Sequence, residues 1–301
     1  MRTRTGKFIA ATAIVGALVA GCGSGPSRVD AAAVVGDDTI TLAEVQPRIT
    51  AALGRPELID SLKTRGFSEA DVGRAVVSQM VLHDLLDRAA AEKKIVVRDD
   101  EVDRAVAAAG GEEVVAQSAI EPGGAREYVR DQIIATRLAE RQVDRLAVTA
   151  DVAIAQTREE AQRIARALAA GGATAEQALA GASTAQRGLQ IRPSTTPQAA
   201  ATPLIGIPAG DTAMFQLSPE QGWVVVRVTQ RNTDAAPAGP AAAGRIDQQT
   251  LAEAGIRLLA PTAESAGVTV NPRYGVWDPV MLTVAPDAAQ VGEVYPAASA
   301  R

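Results

Sequence analysis

The chain has 301 residues, 30 basic and 35 acidic, with a formal net charge of −5, one cysteine and one histidine. That acidic balance gives no electrostatic footprint for nucleic acid, and one cysteine excludes an internal disulfide. A zinc site needs about four Cys, His or carboxylate ligands, and neither a GxxxxGK(S/T) loop nor a strand-to-helix GxGxxG is present, so no metal and no cofactor are expected.

Arg2, Arg4 and Lys7 precede an apolar run from Phe8 to Ala20, and no acidic residue occurs before Asp30. The run is short of the roughly 20 residues that span a bilayer. Positive charge, an apolar core and small residues at a cut describe a secretory signal, here residues 1–21. Val19-Ala20-Gly21-Cys22 resembles the bacterial lipobox, which implies acylation of Cys22, the expected lipidation site. Two or three acyl chains, at about 0.8 kcal/mol per buried methylene, anchor a protein stably. Residues 22–30 then read as a tether.

Ala32 to Ile40 predicts a short hairpin turning at Asp37-Asp38. Thr41 and Glu44 form a capping box for a first helix, with Ile40 and Val45 placed as a hydrophobic staple. Gly54-Arg55-Pro56 stops or kinks that helix. Ser68 to Lys94 is the longest helical signal; Val72, Val76, Met80, Leu86 and Ala90 mark one side, and Val77, Val81 and Leu85 another. A helix apolar on most of its circumference is buried, so this one is expected at the centre of a helical lobe. His83, between Met80 and Leu86, is expected to be a satisfied core residue. After the extended Ile95-Val96-Val97, helices are predicted over 99–109 and 125–146, separated by Gly110-Gly111 and Pro122-Gly123-Gly124.

From Val148 the pattern changes to a small α/β module. Asp151 to Ala155 reads as a strand, Thr157 and Glu160 as a second capping box, and helices follow to Ala170 and over Thr174 to Ala182. Residues 187–213 look irregular, and Gly222 to Val228 is the clearest strand in the chain. Asp234 to Gly244 reads as a linker and Arg245 to Ala266 as a helix kinked at Pro261. Val268 to Val270 is expected to be a strand. Residues 281–301 show no period and are expected to be disordered.

This arrangement resembles the SurA and PrsA group of exported chaperone-isomerases, through VVGDDTITLAEV (34–45), VLHDLLDRAAAEKKIVVRDDEVDRAV (81–106) and ESAGVTVNPRYGVWD (264–278). The resemblance implies an α+β, mostly helical protein. Its helical lobe (31–147) would be completed by a C-terminal helix and strand (245–280), with a parvulin-like module (148–233) inserted and a linker at 234–244. VAIAQTREEA (152–161) and QGWVVVRV (221–228) resemble the parvulin opening and closing strands. Val152 and Val224 occupy the family's two histidine positions, so no catalytic residue is assigned.

The resemblance implies a chaperone, the valines at 152 and 224 imply one without isomerase activity, and the lipobox at Cys22 implies a lipid anchor at the extracytoplasmic face of the cell membrane. Its partners would be unfolded or nascent exported polypeptides and the membrane, with no nucleic acid. A parvulin-type prolyl isomerase and an adaptor of an envelope complex are the alternatives.

Overall fold

The computed structural model describes residues 30–118, 122–216, 222–238, 245–287 and 290–297. The predicted leader, Cys22, the tether up to Val29 and part of the linker lie outside them.

β1 (Ala31–Val35) and β2 (Asp38–Thr41) pair antiparallel about Gly36, whose φ of +60° makes the turn. Thr41 then caps α1 (Leu42–Leu53). Its hydroxyl accepts from the Glu44 backbone N–H at 3.2 Å, and the Glu44 carboxylate accepts from the Thr41 N–H at 2.7 Å. Pro56 opens a further helix, α2 (Pro56–Thr64), where the sequence predicted only a stop or a kink; proline suits a first helical turn, whose N–H groups lack helical partners. α3 (Glu69–Lys93) starts from a Ser68–Asp71 capping box and buries Val72, Val76, Val77, Val81, Leu85 and Leu86. α4 (Asp99–Ala108), α5 (Glu112–Ser118) and α6 (Ala125–Gln142) complete the helical run.

The α/β module begins with β3 (Ala147–Ala155), followed by α7 (Arg158–Ala170) and α8 (Gly172–Gly181). Thr157 accepts from the Glu160 N–H as predicted, but Glu160 reaches back to the Gln156 N–H instead of closing a box on Thr157. Three strands follow: β4 (Thr184–Ile191), β5 (Thr212–Phe215) and β6 (Trp223–Asn232). β4 and β5 fall inside or beside the stretch predicted to be irregular. β4 is an edge strand whose side chains are mostly exposed, so its ladder bonds leave no hydrophobic alternation to read. β5 is only four residues long and buried throughout, which erases alternation in the other direction.

The predicted C-terminal helix is two helices, α9 (Gln248–Arg257) and α10 (Ala260–Ala266), divided ahead of Pro261. β7 (Val268–Val270) pairs with β1, completing a three-stranded sheet of order β2-β1-β7. α9 crosses α6 closely: a Cβ on Gly255 would lie 1.9 Å from the Ala135 carbonyl oxygen. The helical lobe is thus completed by the C-terminal helices and strand.

The expectation of a disordered tail is overturned for residues 281–287 and 290–297. β8 (Val276–Asp278) and β9 (Thr283–Ala285) form a hairpin, and β10 (Glu293–Tyr295) joins the edge of the module sheet, whose order is β10-β5-β6-β3-β4. Burial of Leu282, Val284 and Ala285 contributes to this order, and so does one polar side chain. Asp278 is fully buried, and its two oxygens accept from the backbone N–H groups of Val280 (3.0 Å), Met281 (2.8 Å), Val291 (3.2 Å) and Gly292 (2.6 Å). Hydrogen bonds to an ionised acceptor are worth about 1.5–3 kcal/mol each, and so help to order a tail that lacks a hydrophobic period.

Candidate functional site

Three adjoining cavities run across the helical lobe. The first, about 310 Å³, lies between Leu62, Phe67, Val72 and Ala75 on one side and Thr283 and Val284 of β9 on the other. The second, about 290 Å³, shares Ala75 and Thr283 with the first and adds Gln79, Leu82, Leu86 and Tyr128. The third, about 860 Å³, shares Tyr128, Gln132 and Ile256 with the second and opens between α4, α6 and α9. The shared lining residues set the three cavities side by side, a crevice in sections bordered by α3, α6 and the C-terminal segment.

The chain builds this crevice through Ser78, a buried hydroxyl on α3. Ser78 Oγ donates to the Arg74 carbonyl (2.8 Å) and accepts from the Val284 N–H (2.8 Å), while lying 3.1 Å from Thr283 Oγ1. β9 is thereby fixed against α3. The lining is apolar at Leu82, Leu86, Ile133 and Ile256, with amides at Gln79, Gln132, Gln248 and Gln249. Apolar surface gains on desolvating client side chains. Amides donate and accept, so they can pair with the N–H and C=O groups that an extended chain leaves open. Neither demand specifies a sequence.

Beside the crevice, His83 departs from the expected core position. Its side chain is half-buried and its Nδ1 lies 2.8 Å from an Asp131 carboxylate oxygen, with Asp87 3.7 Å from Nε2. The Asp131 hydrogen bond, with the nearby charges of Asp131, Glu127 and Asp87, outweighs burial and pushes the imidazole up to about 9. Burial lifts the Asp131 carboxyl above its ordinary range, and its hydrogen bond to His83 opposes that shift in part. Arg130 bonds Asp87, and Arg48 grips Glu127 through two hydrogen bonds of 2.7 and 3.0 Å. Of these groups only Asp131 lines the crevice, whose other charged lining residues are Asp71, Arg74, Arg137, Glu140 and Glu253. Nothing in the sequence pairs His83 with Asp131, 48 positions away.

Val152 and Val224 lie on the adjacent strands β3 and β6, on one face of the module sheet, where Val152 opposes Val226 and Ile154 opposes Val224. That face is buried at Val226 and Val228 and partly buried at Val152 and Val224. Leu204, Ile205 and Ile207 cover it from the loop before β5, and Leu251 and Ala254 of α9 pack into the same cluster. Gly206 lets the loop approach α9: a Cβ there would meet the Arg257 carbonyl oxygen at 2.1 Å. No cluster of three or more His, Cys, Asp or Glu suited to a metal occurs among the described residues. None of their helices is long and apolar enough to cross a membrane.

Residues 1–111 match the family model described as a SurA-like N-terminal domain. The chain therefore carries such a domain, which supports a SurA/PrsA-like family and, with it, a chaperone family. The matched span takes in β1 to α4, including the α3 wall of the crevice. No curated protein matches the chain.

Proposed function

We propose that this protein is a chaperone for newly exported polypeptides, held at the extracytoplasmic face of the cell membrane by acyl chains on Cys22, and that it lacks prolyl isomerase activity. The row of adjoining cavities carries this reading. It offers apolar floor and sequence-indifferent amides along one path, as binding of extended, unfolded segments requires. The covered face at Val152 and Val224 supports the negative half. Valine has no hydrogen-bonding group to place on a twisting prolyl amide, and Leu204 and Ile205 belong to the apolar cluster against which Val152 and Val224 pack.

Three measurements test this. A photo-reactive residue at Gln132 should crosslink to an unfolded client, whereas one at the exposed Gln186 of β4 should not; the reverse pattern rejects the crevice as the site. A peptide assay should show prolyl isomerisation at its uncatalysed rate, which takes tens to hundreds of seconds, and reproducible acceleration would restore the isomerase reading. Cys22→Ala should leave the protein unprocessed or soluble on cell fractionation; a mature variant that stays with membranes after a high-salt wash rejects the anchor.

A further inference from the structure

A second cleft, of about 820 Å³, opens between the helical lobe and the module and shares no lining residue with the crevice. Three cations line it. Arg88 is paired with Asp38 at 2.5 Å and Lys93 with Glu92 at 2.5 Å. Arg231, near the end of β6, has no carboxylate partner among the described residues, and its Nη1 is buried without a hydrogen bond. Burial pushes this guanidinium down from its ordinary range, with no opposing charge to restore it. Buried charges are ordinarily paired or hold a ligand, because leaving one uncompensated costs several kcal/mol. Thr233, Thr262 and Ser265, which carry hydroxyls, and Gln142, which carries an amide, line the same cleft.

We propose that this cleft binds the free C-terminal carboxylate of a polypeptide, with Arg231 as its counter-ion. One uncompensated positive charge calls for a monoanion. A guanidinium presents parallel N–H donors that match the two oxygens of a carboxylate. The neighbouring hydroxyls and amide suit the last peptide group, whose N–H and C=O also need partners. Lys93 and Gln142 belong to the lobe, and Arg231 and Thr233 to the module, so a bound chain end would bridge the two. This site is separate from the crevice and stands whether or not the crevice holds clients.

The test uses the purified full chain and a fluorescent alanine pentapeptide, with a free carboxylate or an amidated end. The free acid should bind on the order of tenfold more tightly, as the loss of a charge-assisted hydrogen bond implies. Arg231→Met should abolish that preference, and Arg231→Lys should retain part of it by charge without the planar fork. Equal affinity for the two peptides, or a preference that survives Arg231→Met, overturns the proposal. Displacement of the acid peptide by inorganic phosphate at lower concentration than by acetate overturns it in favour of a phosphate site. In buffer free of organic anions, Arg231→Met should melt no lower than the parent, because it removes a partly buried guanidinium that has no carboxylate partner among the described residues. A drop of several degrees would mark a structural arginine and overturn the assignment.

Discussion

The crevice of the helical lobe and the covered face of the module are both built on α9, and they differ in what α9 meets. Towards the module, Leu251 and Ala254 join Leu204, Ile205, Phe215, Val226 and Val228 in a closed apolar cluster. Towards the lobe, Ala252 and Ile256 belong to the other core, and Ile256 stays partly open on two of the three cavities. The same ten-residue helix thus plugs one concavity and floors another. A sheet face covered by apolar side chains leaves little room for a substrate. In the lobe, α3 is tied to β9 by Ser78 and to α6 by the His83–Asp131 and Asp87–Arg130 pairs, and cavities remain between these ties. Sheet layout alone therefore says little about activity; what covers the sheet decides it.

The strongest way to break this contrast is to release the C-terminal segment that both regions share. Asp278→Ala leaves four backbone N–H groups without their acceptor and should cost about 3–5 kcal/mol, the range for removing one partner of a buried charged network. Hydrogen exchange should rise across residues 280–297, and the melting temperature should fall well below that of Asp278→Asn, which retains one acceptor oxygen. Equal exchange in Asp278→Ala and the parent would show that the tail is held by its apolar contacts instead.

Next comes a pair of changes on α9. Leu251→Ala opens a void on the filled side and should cost about 2–4 kcal/mol, while client holding per folded molecule stays unchanged. Ile256→Ser should cost about 1 kcal/mol, since the side chain is only partly buried, yet reduce suppression of client aggregation several-fold. Chemical denaturation and light scattering read the two effects separately. If Leu251→Ala impairs holding as much as Ile256→Ser does, the two faces of α9 are not functionally distinct.

How far these regions can be read from sequence follows from how local their causes are. The Thr41–Glu44 capping box, the apolar circumference of α3 and the Trp223-Val-Val-Val core of β6 were all legible, because each is a pattern within a few residues. The helical lobe closed by a C-terminal strand was legible through resemblance. β4 escaped because an exposed edge strand has no buried face to impose alternation, and β10 because its place on β5 depends on the Asp278 cage 14 or so residues earlier in the chain. Val152 and Val224 were visible as missing imidazoles, but not the Leu204–Ile207 cover that fills the space. The crevice was not visible at all: Ala75, Tyr128, Ile256 and Thr283 meet only in the fold.

The smallest expected effect separates the two regions by pH, since a titrating group stands beside the crevice, whereas the covered face is aliphatic. His83 is raised from its ordinary 6.5 to about 9, so the folded state binds this proton more tightly than the unfolded state. Its contribution is therefore complete below about pH 6.5 and is lost as the pH climbs through about 9. The groups that set it are Asp131 and Glu127 on α6 and Asp87 on α3. Asp84 on α3 also lies close; Arg130 and Arg48 screen Asp87 and Glu127. Because His83 remains partly in contact with solvent, the contribution is about 1–2 kcal/mol and not the larger figure that the shift alone would give. Denaturation at pH 6 and at pH 9.5 should show the parent losing that much more stability than His83→Gln over the same interval. Melting of the two proteins should converge at the alkaline end, where the imidazole is neutral in both states. A parent and variant that lose stability in parallel would mean that Asp131 is held by other donors, and that the α3–α6 contact beside the crevice does not depend on the charge of His83.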